Sequence, residues 1–283
     1  MTWKYQAAII GGGPAGLQAA LTLGRMHVET VVFDDGRYRN ASSSVMGNVL
    51  GWAGAEPAAL RAAAHEELVA YPWVRRVPER VETAREDGSG LVLVTPSAQW
   101  SAERLLLASG VDDALLPIPG VRELWGDTVL PCPYCHGHEF APGPIAVISD
   151  GGHAEHVGGL LRGLSSSVPV VAPADVLSVS RSATGVRIDL RDGGAIEAAC
   201  AFIPPNARVR SGIADDLGIR SAPEGIEIDA LGRTSRAGVW AAGDVAKRVD
   251  SRIPAAVVTA MASGLTAAAD IAASVALVRD GRS

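Results

Sequence analysis

Gly11-Gly12-Gly13-Pro14-Ala15-Gly16 stands between an apolar run and a helix-like segment, and it constrains the chain more than any other stretch. Gln6–Ile10 reads as a buried strand and Thr30–Phe33 as a second one. Between them, Pro14 to Met26 reads as a helix with proline in its first turn, completing a βαβ unit. Gly11-x-Gly13-x-x-Gly16, with Asp34 at the end of the second strand, is the spacing that binds a dinucleotide. Gly11 permits the tight turn, Gly13 lets the backbone approach a pyrophosphate, and Gly16 lets helix and strand pack closely. The unpaired N–H groups and dipole of the helix N-terminus attract the anion. Asp34 would accept from ribose hydroxyls, with Asp35 as the fallback, and an acid there repels a 2′-phosphate.

Further along, Pro57 to Tyr71 fits a helix entered through a proline. Val81–Thr83, Leu91–Val94 and Arg104–Ala108 read as short strands around polar turns at 87–90 and 97–99. Leu116-Pro117-Ile118-Pro119-Gly120 is a stiff crossing, and a second α/β segment starts at Pro144–Ile148. A return crossing near Leu231 to Arg236 precedes a strand at Gly238–Ala242 and a last helix from about Pro254 to Val278. The expected organisation is a first domain split into 1–118 and 233–283, with a second domain, 119–232, inserted into it.

A net charge of −6 argues against nucleic acid and anionic membrane surfaces as partners, since both demand basic patches. The longest apolar stretch, Ala255 to Val278, is broken by Ser263, Gly264, Asp270 and Ser274, and reads as a packed helix, not a membrane span. No secretory-type run precedes the first strand, so a cytoplasmic location is expected.

Three cysteines, Cys132, Cys135 and Cys200, are too few for a disulfide scaffold. Cys132-x-x-Cys135 instead holds two sulfurs close enough for a strained, reversible disulfide, in which one activated thiol attacks and the other resolves. Zinc would need two more ligands. Cys200 is isolated, and His136 and His138 follow Cys135 too closely for a zinc-ribbon spacing, so no metal is expected. Cys200, after Ala198-Ala199, reads as a small core residue. His27, His65, His153 and His156 read as surface or satisfied core histidines.

Four stretches together resemble the thioredoxin reductase family. They are the glycine turn with Asp34, Leu106-Leu107-Ala108-Ser109-Gly110, Pro131-Cys132-Pro133-Tyr134-Cys135-His136-Gly137-His138-Glu139, and Gly238-Val239-Trp240-Ala241-Ala242-Gly243-Asp244. Within that family the chain is similar to the dithiol oxidase branch, which closes disulfides in gliotoxin- and holomycin-type natural products. The resemblance implies a two-domain α/β flavoprotein: a Rossmann-type FAD domain with an inserted, shortened second α/β domain, assembled as a homodimer. It implies that Asp244 binds the ribitol and that Ala256 and Val257 meet the pyrimidine edge of the flavin. Further cofactor contacts are implied at Pro14, Ala15, Asn40, Asn48, Val81, Ala108, Gly110 and Gly243. Cys135 would face the flavin and Cys132 would exchange with substrate.

His136 stands where thioredoxin reductases place an acid, and an imidazole there can take and return the thiol proton near neutral pH. His138 and Glu139 are further candidates, Glu139 either orienting an imidazole or facing solvent. The chain departs from its branch at Val45-Met46-Gly47-Asn48-Val49-Leu50-Gly51, where relatives often carry histidines.

In that family NADPH binds the inserted domain through a second glycine fingerprint and a basic cluster. Here the turn is Ile148-Ser149-Asp150-Gly151-Gly152-His153-Ala154, and a carboxylate in it would repel a pyrophosphate. Ala172-Pro173-Ala174-Asp175 follows the next strand, Arg181 and Arg187 are isolated, and the segment is short by one strand–helix piece, roughly 30 residues. NADPH is therefore not expected to bind. The expected reaction takes two electrons from a small-molecule dithiol through Cys132–Cys135 to FAD and on to molecular oxygen, giving peroxide. Alternatives are a disulfide reductase acting on a small thioredoxin-like protein, and a non-catalytic FAD-binding redox sensor.

Overall fold

A computed structural model of the chain describes residues 3–88, 90–222, 224–248 and 254–279. These form two compact units. One comprises Met1–Arg39, Arg61–Asp112 and Ala207–Ser283, and the other Asn40–Leu60 with Asp113–Asn206. The division differs from the expected 1–118, 119–232 and 233–283 in three places: residues 40–60, 113–118 and 207–232. Residues 207–232 group with the first unit because Ile213, Ala214, Leu217, Ile219 and Ile226 are buried in its core. Residues 40–60 group with the second, where Gly47 lies against the backbone of Cys135.

The first unit is built on a five-stranded parallel sheet. Its elements are β1 (Ala7–Ile10), α1 (Pro14–Arg25), β2 (Thr30–Phe33), α2 (Pro57–Leu68, whose first turn groups with the second unit), β3 (Val74–Val77), β4 (Leu105–Leu107), β5 (Val239–Ala241) and α3 (Val257–Arg279). The strand order is β5-β4-β1-β2-β3, with Ile10 paired to Phe33 on one side and Leu107 on the other. Every residue of β1, β2, β4 and β5 is buried, as befits strands covered on both faces, which is why they read as unbroken apolar runs. β3 escaped the sequence reading because Arg75 and Arg76 interrupt it. As the edge of the sheet it needs only one apolar face.

A second sheet orders Trp3–Tyr5, Gln99–Ala102, Leu91–Val94 and Thr83–Glu86. Gln99 opens a strand where a turn was expected, and Val81 precedes its strand.

Helix α3 has 23 residues and, by length and composition, is apolar enough to cross a membrane. One face, through Ala260, Ala267, Ala268, Ile271 and Val275, is buried in the core beside α1. A Cβ on Gly264 would lie 2.1 Å from the Ala15 carbonyl oxygen, so the two helices meet backbone to backbone. Within α3, Asp270 receives both Arg233 (2.6 Å to each oxygen) and the Trp240 indole (2.8 Å).

The second unit holds a short parallel sheet ordered Val129–Leu130, Cys200–Phe202, Ile145–Ile148 and Val170–Val171, with an 11-residue helix, Gly151–Leu161, as crossover. An antiparallel ribbon of Val176–Ser182, Gly185–Leu190 and Ala195–Ala198 follows. Cys200 is fully buried among Leu130, Ile145 and Phe202, and desolvation pushes its thiol up to about 12.

Candidate active site

The glycine turn in the first unit is shaped by what it excludes. Gly11 has φ +116°, and a Cβ there would lie 2.2 Å from the Ala108 carbonyl oxygen. A Cβ on Gly16 would come within 1.8 Å of the Gly11 carbonyl oxygen. Gly13 meets nothing within 4 Å, so the face it presents is open. Helix α1 begins beside it with Pro14 at its start, no side-chain cap and no acid in the first turn. Its first-turn N–H groups are therefore available to an anion, which is what a pyrophosphate needs. Pro14 and Ala15 belong to this first turn, and Ala108 and Gly110 (φ +69°) form the facing strand end.

Asp34 is 7% exposed at the end of β2 and packs on Gly12, where a Cβ would sit 2.2 Å from its carboxylate. Its Oδ1 accepts from the Gly36 N–H (3.1 Å) and its Oδ2 from the Tyr38 hydroxyl (2.7 Å). Arg76 and His65 each approach Oδ2 to 3.9 Å, and His65 Nε2 is buried without a hydrogen-bond partner. That orphaned nitrogen beside a buried carboxylate is a polar demand that a ribose hydroxyl would meet. The sequence offered no sign of it, because His65 is isolated in an Ala-rich helix. Asp35 is exposed and accepts from its own turn, the Arg37 N–H at 3.1 Å.

At the far end of the sheet, Gly243 (φ +76°) donates its N–H to Ser263 Oγ at 2.8 Å, and Asp244 is paired with Arg39 at 2.7 Å. Arg39 was not among the sequence candidates. Next to them a cavity of about 980 Å³ is lined by Lys247, Arg248, Ala255, Thr259 and Ser263. Ala256 and Val257 sit half-buried at the start of α3, where the Ala256 N–H donates to Thr259 Oγ1 at 3.1 Å. Val81 is 3% exposed within the core, so what it can offer a ligand is its backbone. These residues fit a dinucleotide whose pyrophosphate lies over Gly13 and whose ribose reaches Asp34.

In the second unit, Cys132 stands at the N-terminal boundary of the one-turn helix Pro133–His136, and Cys135 lies within it. The Cys135 N–H donates to the Cys132 carbonyl at 3.2 Å, and both cysteines are half-buried. His136 is half-buried. Burial lowers its pKa, and the Glu139 carboxylate, close enough to be felt, opposes that by raising it. Its imidazole is therefore biased toward the neutral, proton-accepting form. Glu139 and His138 are both exposed on the turn that follows, so Glu139 acts on the imidazole while still facing water. A Cβ on Gly47 would lie 2.1 Å from the Cys135 carbonyl oxygen and 2.8 Å from Glu139 Oε1. The segment spanning residues 45–51 is thus part of the wall of the thiol site. Asn40 is half-buried in the turn Arg39–Ser42, and Asn48 is exposed beside Gly47. Among the described residues no three His, Cys, Asp or Glu side chains gather as metal ligands.

A nucleotide-binding parallel sheet and a Cys-x-x-Cys pair define a class, the flavin-dependent disulfide oxidoreductases. The pattern of the pyridine nucleotide-disulphide oxidoreductase family matches residues 5–178, and the chain belongs to that family. Its members are FAD flavoproteins, and the residues above fit that cofactor. The chain is 33% identical over 275 residues to "Thioredoxin reductase tcpT" of Claviceps purpurea, covering 84% of this chain and 85% of that one. Among solved structures, an oxidoreductase from Agrobacterium tumefaciens superposes with a TM-score of 0.88 at 30% identity, covering 97% of this chain and 99% of the other. HlmI superposes at 0.85 with 28% identity, covering 99% and 98%.

Proposed function

We propose that this chain is a dithiol oxidase, which converts a small-molecule dithiol to its cyclic disulfide and passes the electrons to dioxygen. The observation that carries this reading is the turn after Ile145–Ile148. There Asp150 occupies the N-terminal boundary of helix Gly151–Leu161 with its carboxylate exposed, in place of a glycine. Ser149, 4% exposed, has its hydroxyl 3.2 Å from His153 Nδ1 and so fills the space behind the turn. The arginines that follow are engaged on the antiparallel ribbon: Arg181 with Asp127, and Arg187 with Asp189 and Glu197. A pyrophosphate and a 2′-phosphate would each meet negative charge or spent cations.

In the oxidative direction, a substrate thiolate attacks Cys132 of a Cys132–Cys135 disulfide, and Cys135 leaves as thiolate. The second substrate thiol then displaces Cys132 from the mixed disulfide, releasing the cyclic product and a reduced cysteine pair. His136 accepts the proton of the attacking substrate thiol and returns a proton to Cys132 when that sulfur is displaced. Bound FAD would reoxidise the pair by taking up two electrons, which dioxygen and two protons convert to hydrogen peroxide. The proposal includes a cytoplasmic homodimer. The apolar residues Val258, Leu265 and Leu277, each about half exposed on α3, support a second copy as their cover. Leu265→Glu would then shift sedimentation toward the monomer, while an unchanged oligomer would remove α3 from the interface.

The reductase reading has the names of its relatives in its favour, and one experiment separates the two. In anaerobic stopped-flow absorbance, a model dithiol should bleach the flavin and NADPH should not, and admitted oxygen should then yield one peroxide per disulfide. Rapid bleaching by NADPH would overturn the proposal.

A further inference from the structure

Asp34 is the buried acid expected to hold the ribose of the adenosine half, yet it is a short side chain at the end of a strand, with little to orient it except its neighbours. We infer that Tyr38 is the positioning residue of this subsite: its hydroxyl selects the lone pairs of Asp34 left for the cofactor, and Arg61 holds its ring in place.

Three contacts form one chain. The Tyr38 hydroxyl donates to Asp34 Oδ2 at 2.7 Å, shorter than the Gly36 N–H contact to Oδ1 at 3.1 Å. The Arg61 guanidinium lies 3.9 Å from the centroid of the Tyr38 ring, within the range of a cation–π contact. The carboxylate also rests on Gly12, which has no side chain to displace it. Each carboxylate oxygen can accept two donors, so one site on each remains once Gly36 and Tyr38 are bound, and both directions are fixed. Burial and the neighbouring carboxylate push the Tyr38 phenol up to about 12, so it stays a donor at any working pH. Tyr38 lies four residues past the acid, outside the glycine fingerprint, and no spacing rule points to it. Its role requires only that the chain binds FAD, and is independent of which way electrons run.

FMN lacks the adenosine half and serves as the internal control. Flavin affinity of reconstituted protein is measured by fluorescence quenching for FAD and for FMN. Tyr38→Phe should weaken FAD about tenfold, the scale of one hydrogen bond to a charged group, and leave FMN unchanged. Combined with Asp34→Asn, the effects on FAD should be less than additive, since both variants remove the same oriented carboxylate. If the apoprotein does not survive stripping, the rate of FAD release from diluted holoprotein gives the same comparison. Unchanged FAD binding, or an equal loss of FAD and FMN that would report general damage, would overturn the assignment.

Discussion

Gly47 and Cys135 touch through their backbones so closely that no side chain fits between them: a Cβ on Gly47 would stand 2.1 Å from the Cys135 carbonyl oxygen. Gly47→Ala must therefore push the helical turn that carries the redox pair, or be pushed away from it, at a cost of about 1–3 kcal/mol. The expected outcome is a drop of at least about tenfold in dithiol turnover with bound flavin per chain unchanged. Gly163→Ala, whose Cβ would meet nothing within 4 Å, is the matched control in the same unit. Normal turnover in Gly47→Ala would show that the segment yields without disturbing the cysteines.

His136 sets a pH limit. Burial lowers its pKa below 6.5, so the neutral base persists below that value and turnover should fall only as pH drops further. Glu139 pulls the other way, so Glu139→Gln should move the acid limb of kcat/KM to lower pH, and His136→Gln should abolish that limb. The same group affects stability. A histidine whose folded pKa is depressed stabilises fully above its unfolded value, and that contribution declines as pH falls from 6.5 toward the folded pKa. His65 and His153 are depressed too, so the test is the difference in Tm between wild type and His136→Gln across this window. An acid limb unmoved by Glu139→Gln would remove Glu139 from the proton path.

Two glycines of one fingerprint should fail differently. Gly16→Ala would place a methyl 1.8 Å from the Gly11 carbonyl, and is expected to yield little folded protein. Gly13→Ala meets nothing in the protein, so its Tm without cofactor should match wild type while FAD binding is lost to the methyl group standing where the pyrophosphate passes. Thermal melts with and without FAD distinguish the two. Full FAD binding by Gly13→Ala would move the pyrophosphate elsewhere.

Cys200 should be inert. Its thiol is fully buried and raised to about 12, so reduced native protein exposed to iodoacetamide at pH 8 should take label at Cys132 and Cys135 but not at Cys200, as read by peptide mass spectrometry. Cys200→Ala should leave dithiol turnover within about twofold.

The glycine turn, the acid after β2 and the cysteine pair were all legible in the residues, because each is a local pattern whose chemistry demands particular residue types at fixed spacing. The buried strands were legible for a related reason: covering on both faces leaves them uninterrupted by polar residues. What escaped was set by partners distant in sequence. β3 carries two arginines and belongs to the sheet only through its pairing with β2. Arg39 matters through Asp244, 205 residues away, and His65 through Asp34. The unit boundaries escaped too, since Ile213 and Leu217 show their allegiance only by the core they enter.

The contact of Gly264 with Ala15 ties the first helix of the chain to its last. During synthesis the phosphate-facing turn is made well before β5 and α3, which close its sheet and back its helix. A nascent chain therefore carries an incomplete nucleotide fold until β5 and α3 have been made. Cofactor capture then awaits α3, and truncation before α3 would leave the sheet and α1 without the helix that backs them.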